Sequence, residues 1–258
     1  MENDFKLIIH NFSKSITIYP ISDVHLGSLE HNSEEWEKFV NKIKSEANSY
    51  IILAGDLLNN ATRSSVSNVF DEVLRPNDQK IRMVEYLQPI KNKILCAVSG
   101  NHERRSGKDA DNDPMYDIMC KLDLEHLYRK NMAFMKIVLD KNGKATYTFT
   151  VTHGAGGGIN TGSSVNRNER FATVIDNLDC LVVGHTHKGA VTKPAKIVID
   201  SRANLVTVKP FTVITSQSWL SYGGYAMQKM LLPSSTATAD GGQKLLLNKS
   251  KKAIKVVW

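Results

Sequence analysis

Cysteine is scarce in this sequence. Three are present in 258 residues, Cys96, Cys120 and Cys180. An odd number cannot close a complete disulfide framework, and Cys96 and Cys180 sit inside apolar runs where a reduced thiol packs as a small hydrophobe. Long hydrophobic stretches are missing too: no run approaches the roughly 18 apolar residues of a membrane span. The opening "MENDFKLIIHNFSK" has no basic segment leading into an apolar one, so no secretory signal is read. These absences exclude a disulfide scaffold and lead to the expectation of a soluble, cytoplasmic protein without a membrane partner. No internal repeat or linker is visible. The glycine-dense stretch 154–164 lacks the lysine of a phosphate-binding P-loop and the spacing of a dinucleotide fingerprint, and reads as a loop.

What remains is ordinary globular material, 41% hydrophobic and 23% charged. The length suits a single domain over 1–258 with its own core, with a small excursion around 216–242. Lys and Arg outnumber Asp and Glu by 33 to 26, for a net charge of +7. That balance attracts phosphate-bearing partners, so DNA, RNA and nucleotides come into view, although so modest an excess is common elsewhere.

Short apolar, β-branched runs recur along the chain: "FKLIIHNF", "SITIYPIS", "YIILAG", "KILCAVSG", "ATYTFTVTHG" and "CLVVGHTH". Their near-continuous apolarity suits strands buried on both faces. Between them lie helical patterns. Residues 32–48 open with Asn32 as a cap, carry Glu34 and Glu35 in the first turn, and space Trp36, Phe39, Val40 and Ile43 at helical intervals. Further helices are expected over 65–74, 78–92 and 166–177. Strands alternating with helices imply an α/β fold with a largely parallel core, and Asn142-Gly143 between two alternating runs predicts an antiparallel hairpin. The Tyr- and Met-rich segment "SWLSYGGYAMQKMLLPSS", residues 218–235, is expected to pack as core against the sheet; a wall for a nucleotide, built from Tyr222, Tyr225 and Lys229, is the alternative.

The polar residues that follow these strands carry the functional signal. In order they are Asp23 and His25, then Asp56, then Asn101 and His102, then His153, then His185 and His187. In open α/β sheets ligands bind beyond the carboxyl ends of strands, so side chains distant in sequence can converge there. Taken alone, His185-Thr186-His187 fits a polar strand end as well as a metal site. Five strand ends in order favour the metal site, and imidazole with a minority of carboxylate and amide oxygen suits Mn, Fe, Zn or Ni better than Mg or Ca. His10, His31 and His126 lack such a setting and are expected to be structural or surface residues.

The ordered set "DVH", "GD", "GNHE", "THG" and "GHTH", spanning residues 23 to 187, resembles the calcineurin-like metallophosphoesterase superfamily. The resemblance implies a four-layer α/β/β/α sandwich with mixed sheets and a dinuclear centre at the strand ends. It implies one metal held by Asp23, His25, Asp56 and His187, and a second by Asp56, Asn101, His153 and His185, with Asp56 bridging. Two divalent transition-metal ions, Mn first among them, would generate a metal-bound hydroxide nucleophile and clamp the phosphate. They leave the pocket net positive after two aspartates and one hydroxide are counted. His102 would protonate the leaving oxygen. Arg104 and Arg105 are candidates to fork onto substrate phosphate, and Asn59 to orient His102 or a metal ligand.

The substrate is less sharply indicated. Serine/threonine phosphatases of this group tend to carry "GDxxDRG", whereas Asn59 and Asn60 stand here without the arginine. A phosphodiesterase or nuclease acting on nucleotide or nucleic-acid diesters is therefore expected first and a phosphomonoesterase second. A catalytically silent metal-binding scaffold is the reading of another class.

Overall fold

The computed structural model describes residues 5–63, 65, 69–140, 142–157 and 160–258. Two six-stranded mixed sheets lie face to face. Across the first run Ile8–Asn11, Met132–Val138, Thr146–Thr152, Cys180–Val183, Thr212–Thr215 and Ala190–Thr192. Across the second run Ile254–Val257, Lys244–Leu247, Ile16–Ile21, Ser49–Leu53, Ile94–Val98 and Tyr128–Arg129. All six apolar runs named above hold strands. Ile16–Ile21, Ser49–Leu53 and Ile94–Val98 pair in parallel at the heart of their sheet. Thr146–Thr152 and Cys180–Val183 do the same in the other.

A large apolar cluster joins the two sheets to the helices Ser33–Ser45, Pro76–Leu87 and Pro114–Lys121 outside one of them. A smaller cluster, around Ala172, Leu181 and Val213, seats the helix Thr161–Thr173 on the outside of the other. The layers thus run α/β/β/α, as the resemblance implied. Trp36, Phe39, Val40 and Ile43 all face the core, and the Asn32 side chain accepts from Glu35 N at 3.2 Å, as a cap should. Met132–Val138 and Thr146–Thr152 form the expected antiparallel hairpin, closed by a loop longer than two residues in which Gly143 takes φ 70°.

Three helix expectations need correction. Among the described residues of 65–74 only a single 3-10 turn forms, Val69–Asp71, and Val73 N donates to Gly27 O instead of to its own turn; residues 66–68 lie outside the described set. The next helix starts at Pro76, where a fixed φ and a missing N–H do no harm, and ends at Leu87 because Pro89 cannot continue it; Gln88–Lys93 is 3-10. The helix expected over 166–177 runs over Thr161–Thr173. Its polar first turn concealed the start, with Ser163 and Ser164 donating to the carbonyls of Asn160 and Thr161. Two short helices, Asn101–Ala110 and Pro114–Lys121, were not anticipated at all.

Of the segment expected to pack as core, 218–235, the stretch around 222–230 does not. Met227 and Met230 are exposed, Tyr222 is about half exposed, and only a five-residue helix, Gly224–Gln228, forms there. The Tyr225 side chain lies outside the described residues. Trp219, at the start of the same segment, does pack as expected, fully buried against Trp36 and Phe39. A two-stranded ribbon, Ala195–Asp200 with Leu205–Pro210, stands apart from both sheets. Among the described residues no helix is long and apolar enough to cross a membrane.

Candidate metal centre

Five strands, three from one sheet and two from the other, end at the same place. Asp23 and His25 follow Ile16–Ile21, Asp56 follows Ser49–Leu53, and Asn101 follows Ile94–Val98; His153 and the pair His185 and His187 follow Thr146–Thr152 and Cys180–Val183. Backbone bonds lock the loops together: Asp23 N donates to Gly55 O at 3.0 Å, His25 N to Asp56 O at 3.0 Å and Gly184 N to His153 O at 3.1 Å. The geometry is strained. Asp23, His25, Asp56, His185 and His187 all take positive φ, between 49° and 75°. Such a conformation is uncommon outside glycine and persists only where the surroundings over-determine it. Gly55, at φ 88°, and Gly100 allow two of these loops to touch: a Cβ on Gly100 would collide with the Asp56 carboxylate.

The side chains form two groups. In one, His25 Nε2 and His187 Nε2 face each other at 3.2 Å, and Asp23 Oδ1 lies 3.3 Å from His187 and 3.8 Å from His25. In the other, His153 Nε2 lies 3.1 Å from Asp56 Oδ2 and 3.0 Å from Asn101 Oδ1, which also sits 2.7 Å from His185 Nδ1. Asp56 Oδ2 is 4.0 Å from His25 as well and so belongs to both. The triads Asp23, His25, His187 and Asp56, His153, His185 each gather their ligand atoms closely enough for one ion.

A divalent cation fits here on three observations. Asp23 Oδ1 is buried with no well-formed hydrogen bond, its nearest partner being the imidazole of His187 at 3.3 Å, and a buried carboxylate oxygen is costly to leave so poorly matched. Two imidazole nitrogens face each other with a carboxylate beside them. Burial by itself would raise the Asp23 and Asp56 carboxyls, yet the imidazoles next to them, His187 for Asp23 and His153 for Asp56, hold both well below the usual range. Conversely, burial disfavours a charged His153, but Asp56 raises its pKa to about 10, and Asp23 raises that of His187. The site demands positive charge between these atoms. His153 is also oriented for a ligand's role: its Nδ1 is held by Ala54 O at 2.8 Å, which leaves Nε2 facing inward.

The other sequence candidates divide. Asn59 sits behind the ligands, its Oδ1 3.2 Å from His25 Nδ1, its amide donating to Glu72, and its backbone carbonyl 2.7 Å from His102 Nδ1. His102 lies at the rim with Nε2 3.8 Å from Asp56 Oδ2; burial pushes its pKa down to about 3 against the pull of Asp56. Arg105 joins it there, donating to His102 Nε2 at 3.0 Å and to Asn59 O at 3.2 Å. Arg104 does not face the site. Its guanidinium donates to the carbonyls of Ser99 and Lys130. His10 and His31 are structural, bound to the carbonyls of Leu95 and Val24.

One residue of the "GNHE" motif was left without a role. Glu103, fully buried, accepts from Asp56 N at 2.9 Å, Leu58 N at 3.0 Å and Gly100 N at 2.8 Å. It staples the Asp56 loop to the helix carrying Asn101. Burial, with the Asp56 charge nearby, raises its pKa to about 7. The signal was present: a glutamate three residues after a helix-capping glycine can reach back to the cap N–H. Ser22 was also missed; its hydroxyl and His185 N both bind Asp23 Oδ2.

The family model described as calcineurin-like phosphoesterase matches residues 16–189. Among solved structures, a predicted phosphoesterase from Streptococcus pneumoniae is similar at 11% identity, covering 94% of this chain and 97% of that one, with a TM-score of 0.39. A metallophosphoesterase from Sphaerobacter thermophilus gives 16% identity, coverage of 93% and 87%, and a TM-score of 0.40. The calcineurin-like phosphoesterase YfkN from Bacillus subtilis gives 12% identity, coverage of 95% and 88%, and a TM-score of 0.38. No curated protein matches the chain.

Proposed function

This chain belongs to the calcineurin-like phosphoesterase family, and from that premise we propose that it hydrolyses phosphodiesters of nucleotides or nucleic acids with two divalent cations, manganese foremost. The carrying observation is the two neighbouring triads, Asp23, His25, His187 and Asp56, His153, His185, with Asp56 Oδ2 also 4.0 Å from His25 and Asp23 Oδ1 left without a hydrogen bond. Asp23, His25, Asp56 and His187 would hold one cation, and Asp56, Asn101, His153 and His185 the other. Bound there, the cations supply Lewis acidity and activate water.

The chain's own residues do the rest. Ala54 O and Asn59 Oδ1 hold His153 and His25 in place from behind, so the donor atoms need no rearrangement. Arg105 is suited to receive the substrate phosphate, since its guanidinium already lies at the rim, 3.0 Å from His102 Nε2. While Arg105 donates to Nε2, that nitrogen carries no proton, and the His102 proton sits on Nδ1 against Asn59 O. Once the guanidinium turns onto phosphate, His102 Nε2 is free to be protonated beside a negative group and to pass that proton to the leaving oxygen. The net charge of +7 suits a polyanion.

The test is hydrolysis of bis-p-nitrophenyl phosphate against p-nitrophenyl phosphate by metal-stripped protein resupplied with Mn²⁺, with Asp56→Ala and His187→Ala alongside. Faster diester turnover, lost in both variants, is the expected result. Preference for the monoester reverses the substrate order. Silence toward both esters with metal demonstrably bound turns the reading toward a scaffold.

A further inference from the structure

Glu72 is not among the ligands, yet the hydrogen bonds behind His25 converge on it. It follows the 3-10 turn Val69–Asp71, and Val73 N ties its segment to the His25 loop by donating to Gly27 O at 2.9 Å. One carboxylate oxygen accepts from Asn59 Nδ2 and the other from Gln79 Nε2. Burial raises the Glu72 pKa, while these two amides and the Ala61 N–H favour its charged form.

The two amides are held in one orientation, for different reasons. Gln79 is fully buried, its Oε1 accepts from Asn60 N at 2.8 Å, and its Nε2 donates to Leu74 O at 2.8 Å as well as to Glu72. Backbone partners of both kinds thus fix which end of Gln79 is which. The Asn59 side chain bonds only Glu72 and His25 among the described residues. A carboxylate only accepts, so the Asn59 NH2 group must face it and the amide oxygen is left for His25 Nδ1, 3.2 Å away. An oxygen at that place calls for the proton on Nδ1. The lone pair then lies on Nε2, the nitrogen 3.2 Å from His187 Nε2 and 3.8 Å from Asp23 Oδ1.

We propose that Glu72 is a positioning residue for the metal centre: by dictating how the Asn59 amide lies, it selects the His25 tautomer that turns an unprotonated Nε2 toward a cation. The inference rests on the metal reading given above and adds a determinant of affinity that touches no ligand. Partners that orient a ligating imidazole contribute roughly ten- to a hundredfold in metal affinity.

Donor and acceptor arithmetic supplies the test. Glu72→Gln hardly changes shape, but an amide has one accepting oxygen where the carboxylate has two. Gln79 Nε2 claims that oxygen, because its own orientation is held by Asn60 and Leu74. The new NH2 group then faces Asn59, which must turn its oxygen toward it and its NH2 toward His25, moving the His25 proton to Nε2. Adding Asn59→Asp exchanges the amide and the carboxylate between the two positions. The carboxylate now at position 59 accepts from the amide at 72 and from His25 Nδ1, so the original tautomer returns.

Long-range 1H–15N correlation spectra of the metal-free, 15N-labelled protein read which His25 nitrogen carries the proton. They are recorded at about pH 8.5, two units above the ordinary imidazole pKa, with His25→Gln supplying the assignment. Titration calorimetry with Mn²⁺ alone is run on the same proteins. The wild type is expected to carry the proton on Nδ1. Glu72→Gln should carry it on Nε2 and bind Mn²⁺ roughly ten- to a hundredfold more weakly at one site, and the double variant should recover both properties, which also excludes misfolding as the cause. A wild type with the proton on Nε2, an unchanged tautomer in Glu72→Gln, affinity lost without a change of tautomer, or a double variant that keeps Nε2 protonated overturns the inference. A wild type that binds no cation overturns the metal reading instead, and the tautomers of the metal-free proteins still decide whether Glu72 governs His25.

Discussion

The metal centre and the Ala195–Pro210 ribbon break the same rule in opposite directions. The centre buries charge: Asp23, Asp56 and Glu103 are all essentially inaccessible. The ribbon exposes hydrocarbon. The centre is matched within its own chain almost everywhere. Glu103 takes three backbone N–H groups, Ser22 and His185 N bind one oxygen of Asp23, and Ala54 O fixes His153. One oxygen, Asp23 Oδ1, is left over, and it points into the cluster of imidazoles. Among the described residues, nothing covers the ribbon's outer face, where Ile197, Ile199, Val206 and Val208 lie exposed. A buried polar group is costly enough that its few unmatched atoms locate a ligand to a single position, whereas exposed apolar surface is tolerated and locates only a face. That is why the centre points to cations, while the ribbon marks only a face.

The largest effect is expected where the two ligand groups meet. Asp56→Ala removes the carboxylate proposed to serve both cations, and metal-dependent hydrolysis should fall by on the order of a thousandfold or more, with bound metal, read by atomic emission, reduced from two equivalents. If Asp56→Ala retains both equivalents, Asp56 does not bridge. Glu103 comes next, and its effect is on stability. Glu103→Ala leaves three buried N–H groups without an acceptor, at about 1 kcal/mol or more each, so urea unfolding should show a loss of about 3 kcal/mol or more. A loss below about 1 kcal/mol would mean that water enters and the staple is dispensable.

Much of the centre was legible because each of its residues follows a strand that apolar continuity reveals. "YIILAGD" and "CLVVGHTH" announce both the strand and the side chains it delivers. The two parallel cores follow from the same runs, and Asn142-Gly143 announced the hairpin. Arg104 and Arg105 were indistinguishable in sequence. Only the helical turn starting at Asn101, itself too polar to show a hydrophobic stripe, sends one guanidinium toward His102 and the other toward Ser99. Glu103's reach back to Gly100 N was legible as a helix cap, but its staple to the Asp56 loop was hidden because those partners are backbone groups more than forty residues away. The ribbon was hidden for another reason. "AKIVID" and "LVTVKP" read as ordinary half-buried strands, and alternation tells which residues share a face without telling which face the body covers.

A smaller effect separates the rim of the centre from its heart. His31 is tied through Nδ1 to Val24 O, and burial lowers its pKa to about 4, below the ordinary 6.5. Between those values the unfolded chain binds the proton and the folded one does not, so the contribution of a neutral His31 is whole above pH 6.5 and is lost as pH falls toward 4. Wild type should therefore lose about 1–2 kcal/mol more than His31→Gln between pH 7 and pH 5. Parallel losses in urea unfolding at the two pH values would show that His31 is as well solvated when folded as when unfolded.

The smallest effect tests whether the groups behind the ligands matter as much as the ligands. Asn59 touches no other candidate ligand than His25, yet its amide ties that imidazole to Glu72. Asn59→Ala frees His25 Nδ1 while leaving the backbone carbonyl that holds His102. The expected result is a loss of about tenfold in metal affinity, the low end for groups that orient a ligand, with turnover restored at saturating Mn²⁺ because the reacting groups are untouched. Restoration by excess metal places Asn59 with the groups that position ligands. A deficit that persists at saturation would instead mean that the loop itself has shifted, carrying the Asn59 carbonyl and His102 with it.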